Sequence, residues 1–146
     1  MAVTRRHVHG LSRRALFDVL RDGFSYGDWV VGTRTIRDVD DGWPREGTRL
    51  HYPVGYGPLR HDDVTRSLSY VPDERLELEA QAWPMGTAKV VLRAEDSGDG
   101  VKLSIEEWPD KGVAARLHNP VLDLLVKVRN GETLRRWEAH ARGLRR

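Results

Sequence analysis

Val101, Leu103 and Ile105 alternate with Lys102, Ser104 and Glu106, and the same alternation carries Glu107 onto the apolar face. A carboxylate on such a face needs a cation or hydrogen-bond donors around it. Arg129, in the last third of the chain, is the cation on offer. There Glu107 would anchor a ligand or serve as a general acid/base. The competing reading ends the strand at 107 and leaves the carboxylate at a wet rim. His51 and His61 are the remaining titratable candidates, each beside the turn Gly55-Tyr56-Gly57-Pro58. Leu50, Tyr52 and Val54 read as one buried set that leaves His51 outside. Residues 60–71 admit two registers, with either Val64, Arg66 and Leu68 or His61, Asp63 and Thr65 inward.

Other chemistries find little support. No histidine and carboxylate pair has a metal-ligand spacing such as His-Glu-x-x-His, so the sequence assigns no metal. No Gly-x-Ser-x-Gly elbow is present, Gly55-x-Gly57 lacks the third glycine and the strand–helix setting of a dinucleotide loop, and Gly27-Asp28-Trp29 has no P-loop lysine. The chain has no cysteine, which excludes disulfides, thiolate metal sites and thiol nucleophiles. No cofactor is implied. Five tryptophans, at 29, 43, 83, 108 and 137, are many for 146 residues. Trp137 reads as core and Trp43-Pro44 as a structural plug, whereas Trp29 and Trp83 stand in turn-rich segments where a flat ring can stack on a ligand.

These side chains must be positioned by strands joined through Gly, Pro and Asp breakers. The spacing predicts strands over 33–40, 48–54, 60–71, 75–82, 87–95 and 101–107, with a seventh at Val3 to Val8. Leu76, Leu78, Ala80 and Ala82 share one face, as do Ala88, Val90, Leu92 and Ala94. Ser12 caps a helix that carries Ala15, Leu16, Val19 and Leu20, and a short helical turn is expected at Ser25 to Val30. Asn119-Pro120 opens one long helix, on which Val121, Leu124, Val128, Leu134, Trp137, Ala141 and Leu144 recur at spacings of three and four. Its roughly 24 residues would span about 36 Å. The fold class is therefore α+β, one curved antiparallel sheet of about seven strands covering a long C-terminal helix, within a single domain over 1–146.

With 39% hydrophobic and 32% charged residues, the chain has the composition of one globular domain. Its formal net charge of +2 is almost balanced despite a pI near 9.1, which makes nucleic acid a poor expectation as partner. Arg5-Arg6, Arg13-Arg14, Arg135-Arg136 and residues 142–146 would form a basic patch if the chain ends adjoin, and contact with a membrane surface is what such a helix end would suit. Met1 to Gly10 has no apolar leader region and no apolar stretch approaches the roughly 20 residues of a membrane span, so the cytoplasm is the default compartment.

Several strings stand out: Phe17-Asp18-Val19-Leu20-Arg21-Asp22-Gly23, Tyr26-Gly27-Asp28-Trp29-Val30-Val31-Gly32, Trp43-Pro44-x-x-Gly47-Thr48, Trp83-Pro84-x-Gly86 and Arg129-Asn130-x-Glu132-Thr133-Leu134. With the order of elements, they resemble the polyketide cyclase/dehydrase and lipid-transport group of the START-like (SRPBCC) superfamily. The resemblance implies a helix-grip fold, and it places Trp29 and Trp83 near openings of the grip. Ala80, Ala82, Ala88 and Ala94 are small members of Leu/Val-rich faces and Gly131 interrupts the helix, which leaves room for a ligand cavity. The expected function is binding of a hydrophobic small molecule, lipid-like or aromatic, between sheet and helix. Trp29, Trp83, Leu125 and Val128 would line the walls, and Glu107, Arg129 and one histidine would set the ligand's orientation. The alternative is a cofactor-independent polyketide cyclase or dehydratase that uses a pocket acid/base. A third class, a domain acting on another protein, would show a large exposed apolar patch.

Overall fold

Alternation and turn chemistry produce the sheet expected. The computed structural model describes residues 2–33, 35–54, 57–82, 86–116 and 119–143. Strands β1 (Ala2–His9), β2 (Asp38–Val39), β3 (Arg49–Val54), β4 (His61–Val71), β5 (Arg75–Ala82), β6 (Gly86–Ser97) and β7 (Gly100–Lys111) form one antiparallel sheet in the order β1-β7-β6-β5-β4-β3-β2. Gly98, at φ +57, takes the first position of the two-residue turn between β6 and β7, where a hairpin favours glycine. Gly86 admits no other residue without movement, since a Cβ there would stand 1.9 Å from the Lys111 carbonyl oxygen. The strand expected over 33–40 shrinks to the two residues that pair with Leu50 and His51.

The helices α1 (Arg13–Arg21), α2 (Tyr26–Trp29), α3 (Val113–Arg116) and α4 (Pro120–Ala141) pack between and beside these strands. Ser12 caps α1 by accepting from the Ala15 amide at 3.0 Å, and Asn119 caps α4 by accepting from the Leu122 amide at 2.9 Å. Leu16, Phe17, Val19 and Leu20 turn one side of α1 into the core. The result is the helix-grip α+β fold, with a curved sheet around the long C-terminal helix. Among the described residues, no helix is long and apolar enough to cross a membrane.

The long helix departs from the expected single stripe. Its buried residues are Asn130, Thr133, Leu134 and Trp137, at the i, i+3, i+4, i+7 spacing of one helix face. Val121, Leu124, Leu125 and Val128 repeat that spacing nine residues earlier, which is about 2.5 turns and so the opposite side. All four are at least 60% exposed. The apolar residues of the first half thus project away from the sheet and form an exposed stripe, while the second half supplies the grip. Trp137 is fully buried; its indole donates to the Leu16 carbonyl at 2.8 Å and packs against Phe17 and Trp29. The chain ends do adjoin, with Glu138 accepting from Arg6 of β1 and from Arg142.

Gly131, contrary to expectation, is not among the residues that line the interior space, and a Cβ built there meets nothing within 4 Å. Gly131→Ala should therefore stabilise the fold by about 0.5–1 kcal/mol, the helix-propensity difference. Equilibrium unfolding in urea checks this; a loss of stability would show that the site has no room.

Candidate functional site

The sheet and α4 close on each other only where their facing side chains are large. At Trp137 and Leu134 they are, and the space is filled. One turn earlier the helix presents Asn130 and Thr133, and across from them Ala80 and Ala88 sit directly opposite each other on neighbouring strands. Short side chains on both layers leave a cavity of about 240 Å³. A dry cavity of about 150 Å³ already admits benzene, so this one has room for roughly two fused rings or a short acyl chain. Leu78, Val90, Leu92 and Ile105 supply its apolar walls, and Tyr26, Trp29 and the segment Val30–Thr33 also line it. The Val31 amide donates to Thr133 Oγ1 at 3.1 Å, which ties that segment to the helix. Gly32 and Arg129, the latter with 40% of its side chain exposed, mark the solvent side.

Two polar groupings interrupt the apolar lining. Glu107 points inward, continuing the alternation of β7, with its side chain 12% exposed. Its Oε1 accepts from Arg129 Nη2 at 2.5 Å and from Asn130 Nδ2 at 3.1 Å. Strand and helix thereby meet through a carboxylate that one cation and one amide donor contact. The second grouping joins three strands, because the Tyr52 hydroxyl donates to the Gln81 carbonyl at 2.7 Å. Its single proton is then spent, so the 2.9 Å contact with Thr65 Oγ1 has Thr65 as donor. Burial pushes the Tyr52 phenol up to about 12, and the nearby Asp63 charge adds to this against the opposing hydrogen bonds. Burial likewise raises Tyr26, whose hydroxyl donates to the Leu20 carbonyl.

A phenol held neutral by the fold stabilises it only while the unfolded chain keeps its own proton. That contribution is complete below about pH 10 and is lost as pH rises towards 12. Tyr52→Phe should therefore flatten the fall of stability between pH 10 and 12, followed by denaturant unfolding with tyrosine absorbance at 295 nm. Simultaneous ionisation of all four tyrosines near pH 10 in the folded protein would contradict this.

Of the residues that the sequence nominates, Trp29, Glu107 and Arg129 line the cavity. Trp29 is not at an entrance, however; it is 1% exposed, packed against Tyr26 with the ring planes inclined at 49°, and held by an indole hydrogen bond to Ser25 Oγ. Trp83 lies outside the described residues. Leu125 and Val128 are not on the wall, because they stand on the opposite side of α4. His51 is turned to the outer face, where its Nε2 lies 2.8 Å from Asp40 Oδ1, and hydrogen bonds from His51 and then Arg49 hold the Asp40 carboxyl below its ordinary range. His61, half-exposed, lies 3.2 Å from Asp63 Oδ1 and does not line the cavity either. The register of β4 is settled by Asp63, Thr65 and Ser67, all buried. Asn130 and Thr133 were missed because apolar patterning ignores them, and the i, i+3, i+4, i+7 run from Asn130 to Trp137 is the signal that finds them; Thr65 stood in one of the two registers open for residues 60–71.

No protein-family model and no curated protein sequence matches the chain. Its likenesses are three-dimensional. Protein MLL2253 from Mesorhizobium loti superposes with a TM-score of 0.65 at 13% identity, over 94% of this chain and 93% of that one. DynU16, a protein in the dynemicin biosynthetic locus, gives 0.69 at 11% identity over 99% of this chain and 49% of that one. The di-domain ARO/CYC StfQ from the steffimycin biosynthetic pathway gives 0.69 at 12% identity over 97% and 50%, so the chain spans about half of each of these two proteins. Identities of this size carry the fold alone, and a place in dynemicin or steffimycin biosynthesis is said of those two proteins.

Proposed function

We propose that this chain is a START-like (SRPBCC) domain that binds an apolar small molecule carrying one polar group, in the cavity between the sheet and α4. The observation that carries the reading is the pairing of a hollow apolar interior with one inward carboxylate near its solvent side. The ligand's body would rest on Leu78, Val90 and Ile105, with the Trp29 ring at the far end. Its polar group would meet Glu107 and Arg129. Aromatic, polyketide-like molecules are the first class to try, given the family that the sequence resembles, and fatty acyl compounds are the second. The histidines have no part in this reading.

The same carboxylate favours a second reading, a cyclase or dehydratase in which Glu107 moves a proton on a substrate folded by the cavity. Glu107→Gln separates the two, since the amide keeps the shape and loses the proton transfer. Fluorescence of 1-anilinonaphthalene-8-sulfonate, displaced by a panel of aromatic polyketides and fatty acids, measures binding, and chromatography of the same mixtures measures turnover. Binding should be saturable, with one molecule per chain. Turnover by the wild type that Glu107→Gln loses while still binding would select the enzyme. Binding without turnover in both would select the carrier, and no saturable binding of any compound would overturn the proposal.

A further inference from the structure

Far from the cavity, on the outer face of the sheet, β1 carries His7 and His9. A strand turns alternate residues to opposite sides, so Val8, buried, points into the core and the two imidazoles point out together. Their ring centroids are 4.4 Å apart. The turn between β6 and β7 then brings Asp99 over the end of β1, with Oδ1 lying 3.7 Å from His7 Nε2 and 3.4 Å from His9 Nδ1. All three donor atoms fall within 4.8 Å of one another.

These spacings are those of a coordination shell. Ligand bonds of about 2.0–2.2 Å in tetrahedral geometry place donor atoms roughly 3.3 Å apart, within a few tenths of an ångström of the two distances to Asp99. The backbone is also shaped for the arrangement. A Cβ at Gly100 would stand 2.9 Å from His7 Nε2 and 2.2 Å from the Val8 carbonyl oxygen, so a side chain there would push the ring away. Lys102, which faces His7 across the strands, has its ammonium 3.6 Å from Glu95. Arg142 is drawn off to Glu138 and to the His9 carbonyl oxygen.

We propose that His7, His9 and Asp99 form a surface site for one divalent late first-row transition-metal ion, Zn²⁺ being the plainest case. Two imidazole nitrogens and one carboxylate oxygen suit Zn²⁺, Ni²⁺ and Cu²⁺ rather than Mg²⁺ or Ca²⁺, which favour all-oxygen shells. Water completes the shell on the exposed side. The ion would clamp the edge strand β1 to the β6–β7 hairpin. The sequence alone assigns no metal because the spacing His7-x-His9 is short of a ligand set, and Asp99 arrives through the topology.

The test is calorimetric titration of the untagged chain with ZnCl₂, with ring-proton NMR to report which histidines respond. The wild type should take up one Zn²⁺ at micromolar concentration, with His7 and His9 signals shifting first. Asp99→Asn should weaken binding about tenfold or more, and the double variant His7→Gln/His9→Gln should abolish it. His61→Gln should leave it unchanged. Binding of the cavity probe should be the same in all of them, which separates this site from the proposed function. Absence of stoichiometric uptake, or equal uptake by the double variant, would overturn the proposal.

Discussion

Ala88→Phe is expected to weaken binding of any cavity ligand by about 100-fold or more, roughly 2.7 kcal/mol, while the protein remains folded. Ala88 and Ala80 face each other across β5 and β6 on the inner side of the sheet, and both line the hollow. A phenyl ring at 88 therefore grows into empty space, where a ligand would otherwise lie. Overpacking a filled core costs about 1–3 kcal/mol, and a ring entering a void should cost less. Competition with the anilinonaphthalene probe reads the affinity and circular dichroism reads the fold. If the variant binds as the wild type does, the ligand sits elsewhere.

Trp137→Ala should remove about 3–5 kcal/mol of stability, a large part of what a domain of this size possesses. The indole is fully buried, packs against Phe17 and Trp29, and gives its N–H to α1. Its loss leaves a void between α4, α1 and Trp29, and removes the indole donor from the Leu16 carbonyl. Leu125→Gln and Val128→Gln on the same helix should change stability by no more than about 0.5 kcal/mol, because both project into solvent. The contrast tests the two-sided reading of α4. A single continuous stripe would make all three substitutions costly.

The parts of the fold that were readable in the sequence are those where burial and apolarity coincide. In β5, β6 and β7, Leu76, Leu92 and Ile105 mark the inner face without ambiguity, and the strands appear close to where alternation puts them. Glu107 was legible for the same reason, as the next step of a regular pattern. Where the inner face is polar, the reading fails. Asp63, Thr65 and Ser67 form the buried side of β4 although Val64 and Leu68 are the apolar members, so hydrophobicity alone left two registers standing. On α4 the buried Asn130 and Thr133 were invisible to an apolar count, and Val121 to Val128 were joined to a stripe on the other side of the helix. His51 and His61 were placed by proximity to a turn; His51 is turned to the outer face of β3, and His61, although it alternates in step with Asp63 and Thr65, stands at the exposed start of β4 outside the cavity lining. The meeting of Asp99 with His7 and His9 depends on β7 pairing with β1, which no local pattern encodes.

The most direct measurement is a crystal structure of the chain grown with a saturating two-ring aromatic carboxylate such as 2-naphthoate. The rings are expected between Ala88, Leu78 and Ile105, and the polar group within hydrogen-bond reach of Arg129. A complex with the interior closed by its own side chains and the naphthoate bound only outside the sheet would contradict it.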